Sequence, residues 1–226
     1  MSFNLIIPAA GQSSRMKHDL PKQFHSIQSH SILSRTLAAF SGFDVGVCVI
    51  PASKMFKDRV IEDIKGAPFP IKIVEGGETR AESVRNALNA CEVWPYTLIH
   101  DAARPFVSKK LIQTVLDALR AHDCVIPGIP VSDTLKRVAS NTVIETIDRS
   151  ECVAVQTPQG FSTELLRSAY DQSEYIDLTD EAGLIEKMGK KVRVVDGDDL
   201  NIKITYRKDL QCAERYLEIA KEREEI

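Results

Sequence analysis

Short apolar runs alternate with segments of helical period along most of the chain. The runs are apolar at successive positions, which is typical of parallel strands covered by helices on both faces. Between them, apolar residues recur at the i, i+3, i+4, i+7 spacing of a helix, as over residues 84–91 and 111–119. The pattern predicts an α/β fold with a mostly parallel central sheet flanked by helices, and strands near residues 5–7, 45–50, 71–74, 97–100, 124–126, 153–156 and 192–195.

Helix ends are also readable in the sequence. Thr79-Arg80-Ala81-Glu82 has the form of a capping box that begins a helix, and Gly189 is placed to end another before the last strand. An amphipathic helix is predicted over residues 210–226, and the charge run at its end reads as a solvated face. With no repeat or linker in the sequence, we expect one domain over residues 1–226.

One stretch departs from the alternation of strands and helices. Residues 134–138 and 142–147 flank Ala139-Ser140-Asn141, which predicts a β-hairpin. A hairpin with no helix to cover it must pack on something else, and a second subunit is a natural candidate. We therefore expect an extended hairpin arm at about residues 132–150 that joins a homodimer.

Composition narrows the class of protein. Of 226 residues, 43% are hydrophobic and 27% charged, which is typical of globular proteins, and the net charge of −3 argues against a general nucleic-acid binder. No segment approaches the ~18 apolar residues of a membrane span, and the first strand leaves no room for a signal peptide. The five cysteines are scattered, as expected for reduced thiols. These features predict a cytoplasmic protein with neither nucleic acid nor membrane as partner.

The first strand, over residues 3–8, leads into a loop of small residues that carries spaced cations. Gly11 and its small neighbours would let backbone N–H groups approach phosphates, while Arg15 and Lys22 would supply charge. The loop is neither a Walker P-loop nor G-x-G-x-x-G. Taken alone, it is also compatible with an ordinary turn that bears surface cations.

A second segment, His100-Asp101-Ala102-Ala103-Arg104, follows a buried strand. Asp101 lies where ligands of α/β sheets bind, and a carboxylate there can hold Mg²⁺ together with phosphate oxygens. The alternatives are that Asp101 caps the next helix or pairs with Arg104. Neighbouring residues on a strand face opposite ways, so we interpret His100 as a buried structural histidine rather than a base.

Further polar residues gain meaning only as a group. Gly76 and Gly77 precede a helix and allow close approach of a base or phosphate, and Ser83 in its first turn could bind either, although such a pair is often only a turn. Downstream residues that could surround a second anionic substrate are Thr134, Arg149, Thr157-Pro158-Gln159 and Asn201-Ile202-Lys203.

Several catalytic motifs are missing from the sequence. There is no G-x-S-x-G elbow, no H-E-x-x-H and no Cys/His cluster with metal-ligand spacing. A reaction that needs an enzymic nucleophile therefore has no obvious candidate. A transfer in which the substrate attacks with its own phosphate oxygen needs none, because a phosphomonoester is already largely dianionic at neutral pH.

Together these segments resemble one family over nearly the whole chain and in consistent order: the 2-C-methyl-D-erythritol 4-phosphate cytidylyltransferases of the non-mevalonate isoprenoid pathway. The matching strings are Pro8-Ala9-Ala10-Gly11 with Arg15-Met16, Leu20-Pro21-Lys22-Gln23-Phe24, Gly76-Gly77-Glu78 with Arg80-Ala81-Glu82-Ser83-Val84, His100-Asp101-Ala102-Ala103-Arg104-Pro105-Phe106, Thr157-Pro158-Gln159, Thr179-Asp180-Glu181-Ala182 and Asn201-Ile202-Lys203-Ile204-Thr205.

The resemblance implies a Rossmann-like nucleotidyltransferase fold, a homodimer joined through the arm, and Mg²⁺ or another divalent cation. It implies transfer of CMP from CTP to 2-C-methyl-D-erythritol 4-phosphate. It also implies the site residues: Ala9, Ala10, Gly11, Arg15, Lys22, Gly77, Arg80, Ser83, Asp101 and Ala102 for CTP, with Asp101 as metal ligand; Arg104, Thr134, Arg149, Thr157 and Lys203 for the acceptor phosphate, with Thr134 and Arg149 reaching the neighbouring subunit; and Arg15, Lys22, Arg149 and Lys203 as the catalytic cations.

One position departs from the family pattern. Ser13 stands where the family usually has a second glycine, and its Cβ and hydroxyl lie where the backbone should approach phosphates. We expect weaker nucleotide binding rather than lost function. The nearest alternative is a ribitol-5-phosphate cytidylyltransferase; alternatives of other classes are a nucleotide-sensing module without catalysis and a sugar-nucleotide glycosyltransferase, although no convincing D-x-D motif is present.

Overall fold

The computed structural model of the protein describes residues 1–11, 16, 20–172 and 178–223. Within these residues the strands are β1 (Phe3–Ile6), β2 (Ser26–Ile27), β3 (His30–Ser31), β4 (Val45–Ala52), β5 (Ile71–Glu75), β6 (Tyr96–Ile99), β7 (Cys124–Pro130), β8 (Leu135–Ala139), β9 (Thr142–Ile147), β10 (Val153–Val155), β11 (Gln159–Ser162) and β12 (Arg193–Asp196). The α-helices are α1 (Ile32–Ala38), α2 (Lys57–Asp63), α3 (Arg80–Ala90), α4 (Lys109–Ala118), α5 (Thr163–Gln172), α6 (Ala182–Lys187) and α7 (Arg207–Glu222).

The central sheet has eight strands in the order β10-β7-β11-β6-β1-β4-β5, and β12 also pairs with β7. β1 pairs in parallel with β4 and β6, β4 with β5, and β7 with β12. β11 and β10 run antiparallel to their neighbours. The predicted α/β class, a mostly parallel sheet flanked by helices, is confirmed.

Alternate residues of the central strands enter two different apolar clusters. Leu5 in β1 and Cys48 in β4 belong to one cluster, while Ile6 and Val49 belong to the other. Because successive side chains of a strand point to opposite faces, the two clusters lie on the two sides of the sheet. The continuous apolar runs of the sequence therefore reflect strands buried on both faces.

β11 was missing from the sequence prediction, which ended the preceding strand at residue 156. Gly160 in β11 weakens the strand signal, and Pro158 interrupts the apolar run before it. A Cβ at Gly160 would lie 2.7 Å from Cδ1 of Leu119, just after α4. The glycine is explained by this close packing of α4 on the strand.

The predicted helix ends are present with one change of detail. Thr79 Oγ1 accepts the N–H of Glu82 at 3.0 Å, but the Glu82 carboxylate accepts from Glu78 rather than from Thr79. Gly189 follows α6 with a φ of +67°, as expected for a residue that ends a helix. α7 begins at Arg207, earlier than the predicted residue 210.

The predicted hairpin is also present, as the antiparallel pair β8 and β9. Its turn residues Ser140 and Asn141 both have positive φ, the geometry that suits a tight hairpin turn. Val138, Val143 and Ile144 remain 61%, 56% and 60% exposed. The hairpin thus carries apolar side chains that its own chain leaves uncovered.

Two other sequence expectations concern cysteines and membranes. All five cysteines are free thiols, as the sequence predicts, and Cys48 and Cys124 are buried. None of the helices formed by the described residues is both long and apolar enough to cross a bilayer.

Candidate active site

A cleft of about 800 Å³ opens at the carboxyl ends of β1, β4, β5 and β6, where ligands of α/β sheets bind. Nine of the predicted site residues line it: Ala10, Gly11, Lys22, Gly77, Arg80, Ser83, Asp101, Ala102 and Lys203. The structure therefore brings together residues that lie far apart in the sequence.

The side chain of Gln23 anchors the loop after β1 by hydrogen bonding. Its Nε2 donates to the carbonyl of Ala9 at 2.7 Å and lies 3.4 Å from that of Gly11. The predicted residue Ala9 is itself buried, so it supports the loop rather than lining the cleft. Ser13 and Arg15, for which we predicted a nucleotide-binding role, lie outside the described residues.

The glycines after β5 allow two loops to touch. A Cβ on Gly76 would lie 2.3 Å from the Cβ of Ala10, which is too close for any side chain. Ser83 fixes the same loop, because its hydroxyl accepts the N–H of Gly77 at 3.0 Å and donates to the carbonyl of Thr79 at 2.9 Å. The Ser83 hydroxyl thus shapes the loop that faces the cleft.

Asp101 is surrounded by three cations. Lys203 Nζ lies 2.9 Å and Arg104 Nε 3.3 Å from its Oδ2, while Arg80 Nη2 lies 3.9 Å from its Oδ1. Burial acts to raise the pKa of Asp101, but the charges of these cations outweigh it and hold the pKa well below its usual value. The carboxylate is therefore ionised, and the pairing with Arg104 that the sequence left open is present.

Arg80 is fixed by a residue to which the sequence analysis assigned no role. Its Nη1 lies 2.7 and 2.8 Å from the two carboxylate oxygens of Glu181, which is fully buried at the start of α6. Tyr170 donates to the same carboxylate at 3.3 Å. Burial acts to lower the pKa of Arg80, but Glu181 and Asp101 outweigh it and raise the pKa, so the guanidinium stays charged.

A chain of hydrogen bonds runs beneath Asp101. Thr157 Oγ1 accepts the N–H of Asp101 at 3.1 Å and lies 3.0 Å from Nδ1 of His100, whose Nε2 lies 3.1 Å from the carbonyl of Arg104. Burial lowers the pKa of His100 to about 4, so the ring is neutral at pH 7. His100 is a buried structural residue, as predicted.

Four residues that we expected in the acceptor pocket do not line the cleft. Thr157 and Arg104 lie beneath it, and Arg104 Nη1 donates to the carbonyl of Asn201 at 2.7 Å. Thr134 and Arg149 lie at the two ends of the exposed hairpin, where Arg149 donates to the carbonyl of Ser132. Contact of these four residues with a substrate stays a prediction.

Lys54 is a cleft residue that the sequence analysis missed. It lies just after β4, and its Nζ is 3.0 Å from Oε1 of Glu75 at the end of β5. The rule that ligands bind at the carboxyl ends of strands would have pointed to it, because β4 was correctly predicted.

Comparisons with known proteins agree with this architecture. The family of 2-C-methyl-D-erythritol 4-phosphate cytidylyltransferases matches residues 3–219. A relative of that name from Bacillus cereus is 40% identical over 225 residues, covering 97% of this chain and 99% of the relative.

Solved structures are similar over the same extent. A 4-diphosphocytidyl-2C-methyl-D-erythritol synthase from Anaerococcus prevotii has a TM-score of 0.85 and 29% identity, with 96% of each chain covered. A 2-C-methyl-D-erythritol 4-phosphate cytidylyltransferase from Thermus thermophilus has a TM-score of 0.77 and 34% identity, covering 98% of this chain and all of its own. The family match over most of the sequence, together with the geometry of the cleft, establishes that this chain belongs to the 2-C-methyl-D-erythritol 4-phosphate cytidylyltransferase family.

Proposed function

We propose that the protein transfers the cytidylyl group of CTP to 2-C-methyl-D-erythritol 4-phosphate, releasing pyrophosphate and forming 4-diphosphocytidyl-2-C-methyl-D-erythritol. The observation that carries the proposal is the cleft itself, where two small-residue loops adjoin Lys22, Arg80 and Lys203 around one buried carboxylate. Such a site suits two polyanionic substrates that must be brought together.

In the proposed step, an oxygen of the acceptor phosphate attacks the α-phosphorus of CTP. The new P–O bond forms as the bond between the α-phosphorus and the bridging oxygen breaks, and the electron pair leaves with pyrophosphate. The acceptor phosphate is already largely dianionic at neutral pH, so no enzymic base is required. The work of the protein is to align the two anions and neutralise developing charge.

The cations divide between the two anions in this proposal. Lys22, together with Arg15 outside the described residues, holds the triphosphate, while Lys203, which lines the cleft beside Asp101, holds the acceptor phosphate. The side chain of Lys203 is 36% exposed and can reach a ligand. Arg80, fixed by Glu181, contributes charge near the ribose without moving.

A divalent cation such as Mg²⁺ fits the donors in the cleft. Asp101 is ionised, and its Oδ1 has only the 3.9 Å contact with Arg80 as an ion pair among the described residues. The same residues contain no group of three or more His, Cys, Asp or Glu side chains that could hold a metal ion. Asp101 would therefore hold Mg²⁺ together with phosphate oxygens, as is usual for this ion. When bound, the ion neutralises triphosphate charge.

The exposed hairpin supports the proposal of a homodimer. Val138 and Val143 pair across the hairpin and Ile144 faces its other side, so both faces of the arm carry apolar side chains that a second copy could cover. The partner would then receive Thr134 and Arg149 at its acceptor site. We also propose that residues 1–226 act as one domain with this arm, in the cytoplasm, where free thiols persist. Size exclusion with light scattering tests the shared site, which a strictly monomeric active enzyme would exclude.

The proposed activity is tested by pyrophosphate release from CTP and Mg²⁺, with 2-C-methyl-D-erythritol 4-phosphate and ribitol 5-phosphate offered in parallel. We expect release with the first acceptor only. Release with ribitol 5-phosphate only would show that the protein is a cytidylyltransferase that uses the alternative acceptor. No release with either, despite measured CTP binding, would favour a nucleotide-sensing role.

A further inference from the structure

A second, smaller cleft lies away from the active site. It measures about 270 Å³ and is formed by α1, the segment of residues 105–107 and α7; we call it the α1/α7 groove. Ala38 is an exposed apolar residue of its lining, and Pro105, Val107 and Leu217 are buried beneath it. It shares no lining residue with the large cleft, so it is a separate place on the molecule.

The charged residues that line the groove are all of one sign. Arg35, Lys109 and Lys221 line it together with His30, and none of the described lining residues is acidic. Two acidic residues of α7 adjoin lining residues in the sequence but do not line the groove: Glu218, whose carboxylate lies 2.9 Å from Arg215, and Glu222, which follows Lys221. An apolar cavity with a basic rim complements a ligand that has an apolar body and an anionic head.

Arg35 gives independent support for an anionic ligand. Its side chain is partly buried, and burial lowers the pKa of the guanidinium. Its Nε and Nη2 donate to the carbonyl of Ile27 at 3.0 and 2.7 Å, which leaves other N–H groups available. Among the described residues no carboxylate forms an ion pair with it. Partly buried charges are normally paired, so a bound anion would supply the counter-charge that the chain does not give Arg35.

We propose that the α1/α7 groove is a binding site for a small alkyl phosphate. The phosphate head lies between Arg35, Lys109 and Lys221, and the hydrocarbon body lies against Ala38 and the aliphatic stems of Lys109 and Lys221. The volume of the groove is slightly below ~300 Å³, the lower end of the usual range for ligand pockets. The ligand should therefore be a small molecule of fragment size. A nucleotide or a folded protein segment is too large for it.

Calorimetric titration of the full chain with hexyl phosphate tests the site, with inorganic phosphate and hexanol as the two half-ligands. We expect one hexyl phosphate per chain, and at least tenfold weaker binding of either half-ligand. A charge-assisted hydrogen bond contributes about one to two powers of ten in affinity, so Lys109→Glu or Lys221→Glu should weaken binding at least tenfold. The matched control Lys110→Glu, an exposed neighbour that does not line the groove, should change it less than twofold.

Filling the groove gives a second test that does not depend on charge. Ala38→Trp, at an exposed position on the wall, should abolish binding, whereas Ser41→Trp three residues further along should not. Three results would overturn the proposal. The first is binding that survives Ala38→Trp, and the second is loss of binding in Lys203→Gln, in the large cleft. The third is no detectable binding at millimolar hexyl phosphate. A changed subunit number in Ala38→Trp would also overturn it, because a second copy of the chain would then be the occupant.

Discussion

The ion pair between Arg80 and Glu181 offers the sharpest prediction about stability. Glu181 is fully buried, and both of its carboxylate oxygens lie within 2.8 Å of Arg80 Nη1. Glu181→Gln keeps the shape of the side chain, removes its charge and replaces one acceptor oxygen with an NH2 donor. The variant therefore leaves a largely buried guanidinium without its main counter-ion, and only the longer ion pair with Asp101 at 3.9 Å remains.

The loss of stability expected for Glu181→Gln depends on the contacts that Arg80 keeps in the variant. Removing one partner of a buried pair costs ~3–5 kcal/mol. The amide of glutamine still accepts one hydrogen bond, and the Arg80 side chain is 26% exposed, so we expect the lower end, about 3 kcal/mol. For a chain of this size, each kcal/mol lowers Tm by about 2–4 °C, which gives a decrease of roughly 6–12 °C.

Thermal unfolding followed by circular dichroism measures this decrease, with Glu186→Gln as the matched control. Glu186 is an exposed residue of the same helix, so its substitution should change the free energy of unfolding by less than about 0.5 kcal/mol. In a double-mutant cycle with Arg80→Met, the double variant should lose clearly less than the sum of the two single variants. Additive losses, or a Glu181→Gln variant as stable as wild type, would refute the reasoning.

Three further predictions concern the cleft and the layer beneath it. Lys22→Ala should lower turnover by about 10²–10³ with the fold intact by circular dichroism, because it removes one preorganised charge; near-normal turnover would exclude the role assigned to Lys22. Gly76→Ala should raise the KM for CTP about tenfold or more, because its Cβ would lie 2.3 Å from that of Ala10. Gly183→Ala lies outside the cleft, and its added Cβ would have its nearest neighbour at 3.6 Å, so it should have a smaller effect; equal effects would contradict this. The folded-state pKa of His100 near 4 lies below the unfolded value near 6.5. Its contribution to stability is therefore complete above about pH 6.5 and is lost as pH falls towards 4, by up to roughly 3 kcal/mol. The free energy of unfolding, measured with urea at several pH values, should show this loss, and His100→Gln should remove it.

Local patterns in the sequence predicted what depends on local physics. The apolar runs gave the parallel strands because burial on both faces leaves a continuous signature, as in β1 and β4. The small-residue loop and Asp101 were identified because each follows such a strand, and strand ends of a parallel sheet meet at one edge. Thr79 and Gly189 were readable because caps act within a single turn.

Long-range pairing could not be predicted in the same way. Glu181 contacts Arg80, which lies 101 positions away in the sequence, and no local pattern near either residue indicates that contact. Thr157 and Arg104 have the residue types of a phosphate pocket, yet the fold engages them with His100 and Asn201 below the cleft. The groove between α1 and α7 depends on how two distant helices pack, so composition alone gave no sign of it.

The stereochemical course at the α-phosphorus tests the central claim most directly. The claim is that the acceptor phosphate displaces pyrophosphate in one step, in a cleft that supplies positioned charge and no nucleophile. The substrate would be CTP made chiral at the α-phosphorus by one sulfur, with 2-C-methyl-D-erythritol 4-phosphate as acceptor. A single in-line displacement inverts the configuration, which is the result we predict. Retention would require two displacements through a covalent enzyme intermediate, and would contradict the account.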